Sequence, residues 1–341
     1  MPESRPLPRI NFENAPPPYD EFEGEQADRS HYFYFVDADR NPFRPDARDF
    51  ELINAWWLCE AATLVYSAPT LAERVLRNKA RLQQFRSFAI DGGTECFVAS
   101  NEEFAIVAFR GSELRTREGH PRDFSEIFND WRRNADIRTS NSVHGAKVHQ
   151  GFADGARAVW DGGLGDYLAR LPSRKVWFTG HSLGGALATL AAARALADRD
   201  RGRLDGLYTF GSPRVGDEDF ADSFRQMLAE RGLTYYRFVN GEDVVATVPH
   251  FSKPRLSIPP VVTFKHAGTL KYIDREGRIT EDPTQFEQLK AKLRALLPLD
   301  ADRHLDPRFL DGIPNAVGDH VPTLYSTHIW NAYVKAQGGG D

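Results

Sequence analysis

Apolar positions recur along the chain in two rhythms, and the change from one to the other is sharpest at Gly180. Val176 to Thr179 are β-branched or aromatic and apolar on both faces, as a strand buried on both sides of a sheet must be. From Leu183 onward, Leu183, Leu187 and Leu190 fall at helical spacing, with Ala186, Ala188, Ala191 and Ala192 filling the turns between them. A strand therefore passes directly into a helix, and Ser182 sits at the bend.

The same two rhythms divide the rest of the chain. Phe50, Ile53, Trp57, Ala61, Leu64 and Val65 share one helical face, which predicts a helix over 46–66 stopped by Pro69. Thr70 with Glu73 predicts a capping box for a second helix over 71–80. Short β-type segments follow at 84–90, 94–99 and 104–109, and the last is wholly apolar and so central. Helical segments between Gly151 and Arg170, strands at 206–210 and 235–239, and a helix marked by Phe220, Phe224, Met227 and Leu228 complete the middle of the chain. A hairpin around Glu276-Gly277 and a helix marked by Phe286, Leu289, Leu293 and Leu296 come last. Strands alternating with helices predict an α/β protein, a mostly parallel central sheet covered by helices on both faces.

Residues 1–30 are rich in proline and acids, and residues 1–45 predict an arm, partly flexible or wrapping the surface, with the aromatic run His31 to Val36 anchoring it as an edge strand. Residues 46–341 form the one domain. At 341 residues, 41% hydrophobic and 27% charged, the composition is that of an enzyme-sized globular chain, and a net charge of −5 argues against nucleic acid as a partner. Cys59 and Cys96 are too few for a disulfide framework or a structural zinc site and predict buried free thiols. Residues 1–20 lack the apolar core of a signal peptide, and the longest apolar run, 184–196, is interrupted by Thr189 and Arg194. The expectation is a cytoplasmic protein without a transmembrane segment.

Gly180-x-Ser182-x-Gly184 has the form of a nucleophile elbow, in which a strained corner lifts the serine hydroxyl above the sheet edge. The bend aims the amide of Leu183, at a helix N-terminus, toward an oxyanion formed by attack of Ser182. Reacting groups in such a sheet sit beyond the carboxyl ends of the strands, which favours Asp243, after the strand 235–239, as the acid. Asp217 and Asp219 compete but fit a helix start better. The order serine, acid, histidine leaves His250, His266, His304, His320 and His328. His320, with Gly318 and Asp319 before it, is favoured over His328, which adjoins Ile329 and Trp330 in a final helix and fits packing against the core.

Phe109-Arg110-Gly111-Ser112, Asp130-Trp131, Val148-His149-Gln150-Gly151-Phe152, Gly180-His181-Ser182-Leu183-Gly184-Gly185, Thr209 to Gly216, Val239-Asn240 with Asp243, and Asp319-His320 with Tyr325 together resemble the ordered motifs of the class 3 (fungal-type) lipases. The resemblance implies an α/β-hydrolase fold and hydrolysis of carboxylic esters, typically acylglycerols, with neither metal nor organic cofactor. It implies Ser182 as nucleophile, Asp243 as acid, His320 as base, and Ser112 with Leu183 as oxyanion donors, while His149 and His181 brace loops. The implied partner is an ester or lipid small molecule, with at most transient contact with a lipid surface. Residues 113–129 occupy the family's lid, and their charge (Arg115, Arg117, Glu118, Arg122, Asp123, Glu126) implies weak interfacial activation. Asp243-Val244-Val245-Ala246 departs from the family's habit of placing Val-Pro soon after the acid. A phospholipase, acyltransferase or short-chain esterase would use the same residues, and a non-catalytic lipid-binding protein could keep the fold.

Overall fold

The computed structural model describes residues 32–90, 94–111, 139–142, 145–172, 174–198, 202–241, 243–249, 251–252, 262–282, 284 and 318–338. The lid stretch 113–129, Ser112, Asp130-Trp131 and the helix expected around Phe286 to Leu296 lie outside them.

In chain order the elements are α1 (Leu52–Leu64), α2 (Pro69–Asn78), β1 (Gln84–Ile90), β2 (Thr94–Ser100), β3 (Phe104–Phe109), β4 (Thr139–Asn141), β5 (Lys147–His149) and α3 (Gln150–Val159). A π-helical turn, Trp160–Leu164, joins α3 to α4 (Gly165–Arg170). Then come β6 (Lys175–His181), α5 (Leu183–Ala197), β7 (Gly206–Phe210), α6 (Glu218–Glu230), β8 (Tyr235–Asn240), β9 (Phe251–Ser252), β10 (Val262–Thr263), β11 (Thr269–Ile273), β12 (Ile279–Thr280) and α7 (Pro322–Gly338).

Eight strands form one sheet in the order β1-β2-β3-β6-β7-β8-β11-β12. The run β3-β6-β7-β8-β11 is parallel, and the antiparallel strands β1, β2 and β12 lie at its ends. One face packs against α3, α5 and α6, and the other against α1, α7 and the segment 32–43. β3, β6 and β7 are buried nearly throughout, so their continuous apolar runs are what a strand covered on both faces requires. This is the mostly parallel, two-sided arrangement that the alternation of rhythms predicts.

Three local expectations are corrected. α1 begins at Leu52, because Glu51 is extended and Phe50 reaches back to Tyr208 and Tyr236 on the sheet instead of joining the helix face. α2 begins with Pro69 at its first turn, where the missing N–H costs nothing; no side chain caps it, and Glu73 pairs with Arg77 at 2.7 Å. Residues 32–36 are not a strand. Phe35 and Asp37 take positive φ, and the segment is held by the carboxylate of Glu60, which accepts from the Tyr32 hydroxyl and, at 2.7 Å, from the Phe35 amide. The aromatic anchor is real, and its partner is a helix. No helix among the described residues is long and apolar enough to cross a membrane.

Candidate active site

The elbow is built by contact between two elements that only glycine allows. A Cβ on Gly180 would lie 2.2 Å from the Gly184 carbonyl oxygen, and one on Gly184 would lie 2.1 Å from that of Phe109. β6 and α5 therefore meet at backbone distance, and Ser182 between them is forced to φ 57° and ψ −132°. A non-glycine residue there carries strain, which the surrounding packing sustains. Its amide donates to the Phe210 carbonyl at 2.9 Å, tying the corner to the end of β7. Ser182 and Leu183 are half-buried among fully buried neighbours, and Leu183 is the first residue of α5.

Gly211, just past β7, is the floor beside this corner. Its φ is +57°, and a Cβ there would come within 2.6 Å of Asp243 Oδ2 and 2.9 Å of His320 Nδ1. Those two atoms are themselves 2.9 Å apart. The carboxylate can only accept, so His320 carries its proton on Nδ1 and presents Nε2 as the basic nitrogen. Asp243 is fully buried, and His320 is 4% exposed. Oδ2 also accepts from the Tyr325 hydroxyl, and Oδ1 accepts from the Val245 amide at 2.9 Å. The loop beyond the acid is braced by the buried Arg214, which donates to the carbonyls of Thr247 and, at 3.1 Å, Pro249. His266 holds the Ala246 carbonyl at 2.6 Å.

His328 is elsewhere. It is buried on α7 against the β11–β12 hairpin, close enough that a Cβ on Gly277 would lie 2.8 Å from its Nδ1. Asp217 is the N-cap of α6, accepting from the Phe220 amide at 2.8 Å, and Asp219 lies in that helix's first turn. His149 caps α3 and stacks on Phe152 with ring centroids 4.0 Å apart; burial pushes it down to about 4, so it stays neutral. Of the two oxyanion candidates, Leu183 stands at the elbow and Ser112 lies outside the described residues, next to the buried Gly111.

Sequence reasoning assigned no role to Tyr325, Tyr66 or Arg214, although Tyr325 and Arg214 fall inside the motifs quoted. Their partners are backbone groups, a carboxylate and an imidazole up to 115 residues away, a separation that leaves no local signal.

Residues 106–253 match the family described as Lipase (class 3). This stretch runs from β3 to β9 and holds Ser182 and Asp243, while His320 and Tyr325 lie beyond it. A lipase of Rhizomucor miehei is 39% identical over 132 residues, covering 37% of this chain and 32% of that protein. The secreted mono- and diacylglycerol lipase 1 of Fusarium solani is 35% identical over 158 residues, covering 44% of this chain and 41% of that protein. The chain thus spans about a third to two fifths of the length of these relatives. A solved structure of the Rhizomucor miehei triacylglyceride lipase is 26% identical, with a TM-score of 0.47, covering 66% of this chain and 80% of that one.

Proposed function

We propose that this class 3 lipase-like chain is a serine carboxylic-ester hydrolase, acting on acylglycerols or related esters through an acyl-enzyme on Ser182. The observation that carries the proposal is the His320 Nδ1 to Asp243 Oδ2 contact of 2.9 Å, beside a half-exposed serine held at positive φ.

His320 Nε2 takes the proton of Ser182 Oγ as the oxygen attacks the ester carbonyl. Asp243 keeps the imidazole in the tautomer that can accept that proton and stabilises the imidazolium formed. The amides of Leu183 and Ser112 hold the oxyanion, each donor contributing about 3 kcal/mol in the transition state. His320 returns its proton to the departing alcohol, and the same imidazole then activates the water that frees the acid.

Hydrolysis of p-nitrophenyl butyrate tests the assignment. Ser182→Ala should lower kcat by about 10⁶-fold, while wild-type turnover in that variant ends the proposal. A series of p-nitrophenyl esters from acetate to palmitate fixes the substrate class: rates that rise with chain length make this a lipase, and a maximum at acetate or butyrate makes it an esterase.

A further inference from the structure

We infer that His181, held by Tyr66, is a positioning residue that fixes the His320 imidazole through its backbone; the inference rests on His320 being the base. His181 precedes the elbow serine and is 3% exposed. Its Nε2 lies 2.7 Å from the carbonyl oxygen of His320, and its Nδ1 lies 3.0 Å from the Tyr66 hydroxyl. A carbonyl accepts only, so the ring proton sits on Nε2, and Nδ1 must accept from Tyr66. The Tyr66 hydroxyl is packed against Gly111, where a Cβ would lie 2.0 Å from its oxygen.

A directional pair of donors thus runs from Tyr66 through His181 to His320. It links the turn after α1, the elbow and the loop before α7, and the last two carry Ser182 and His320. The pair lies wholly in the interior, where a lost donor leaves a buried carbonyl unsatisfied.

The two imidazoles stand with ring centroids 4.5 Å apart and have opposite duties. His320 must gain and lose a proton in each cycle, whereas His181 must stay neutral or it would oppose the imidazolium forming beside it. Burial, reinforced by the neighbouring His320, holds His181 well below the usual imidazole range. The other ionisable groups around the pair are Tyr66, with Arg110 near it, and Asp243, Tyr325 and the adjoining Asp319 around His320. Among these, Asp243 accepts from His320 and does not reach His181.

The test is the pH profile of kcat and KM on p-nitrophenyl butyrate for wild type, His181→Leu, His181→Gln and Tyr66→Phe, with Ser182→Ala alongside. His181→Leu should lose about 10- to 100-fold in kcat with KM within about twofold, because a displaced base costs the chemical step and not binding. Its acid limb should shift to lower pH as the Asp243 pairing loosens. His181→Gln, whose amide N–H can reach the same carbonyl, should recover most of the loss, and Tyr66→Phe should fall between wild type and His181→Leu. If His181→Leu does not fold, Tyr66→Phe decides: wild-type kcat and an unmoved limb in that variant overturn the inference. Equal losses in the Leu and Gln variants with an unmoved limb overturn it too. An inert Ser182→Ala with an unaffected His181→Leu sinks this inference alone, and an active Ser182→Ala sinks the hydrolase assignment with it.

Discussion

Asp243 and Glu60 are two buried carboxylates served by the same helix, and they differ in one partner. Both are at most 1% exposed. Each accepts from a phenol and a backbone amide: Tyr325 and Val245 for Asp243, Tyr32 and Phe35 for Glu60. Consecutive residues of α7 reach them, Tyr325 to Asp243 and Ser326 to Glu60, since successive helical side chains diverge by about 100°. The third donor to Asp243 is an imidazole, which can become a cation. The donors that reach Glu60 are a phenol, a hydroxyl and an amide, all neutral, and burial outweighs them, pushing its carboxyl up to about 7. Burial with a full set of donors suffices to pin the segment 32–36 to α1. Chemistry needs a partner whose own charge changes.

The contrast can be broken most sharply at Asp243. Asp243→Asn keeps the shape but favours the wrong tautomer of His320, and kcat on p-nitrophenyl butyrate should fall about 10⁴-fold.

The next largest effect should appear at Glu60 in stability. Its folded-state value of about 7 lies above the usual 4.5, so the folded chain binds more protons than the unfolded chain between those values. Stability contributed by this group is therefore full below about pH 4.5 and lost as pH rises through about 7, an expected decline of about 3 kcal/mol. Denaturant titrations of wild type and Glu60→Gln across that window should show the decline in the first and its absence in the second.

Tyr325→Phe removes one donor from Asp243 and leaves the imidazole in place. A loss of about 2 kcal/mol, read as kcat lowered by about 10- to 50-fold in a folded variant, is expected. His328→Asn, on the same helix but against the β11–β12 hairpin, should leave kcat within about twofold. A loss there comparable to that of Asp243→Asn would reverse the choice of base.

The parts legible in the sequence were those written in short-range pattern. Val176 to Leu190 carries its strand, corner and helix within fifteen residues, and the alternation around it dictates the parallel sheet. Asp243 follows from its place after β8. The choice between His320 and His328 was not decidable in the same way, because it depends on a partner 77 residues earlier and on which side of α7 faces the hairpin. Phe50 was misplaced in α1 because an aromatic residue serves an extended segment against Tyr208 and Tyr236 as well as it serves a helix face. Glu60 was invisible for the opposite reason: a charged residue on a helix ordinarily faces solvent, and only the fold brings Tyr32, Phe35 and Ser326 around it. The consecutive aromatics of His31 to Val36 looked like a strand because pattern alone does not say that their hydrogen bonds go to a side chain.

The late position of His320 has a consequence for synthesis. As the chain leaves the ribosome, Ser182 is translated well before His320, and the contacts of Asp243 with His320 and Tyr325 wait for the segment that carries α7. Under the proposed mechanism, a nascent chain therefore carries Ser182 for 138 residues of synthesis before the imidazole that would serve it has been made.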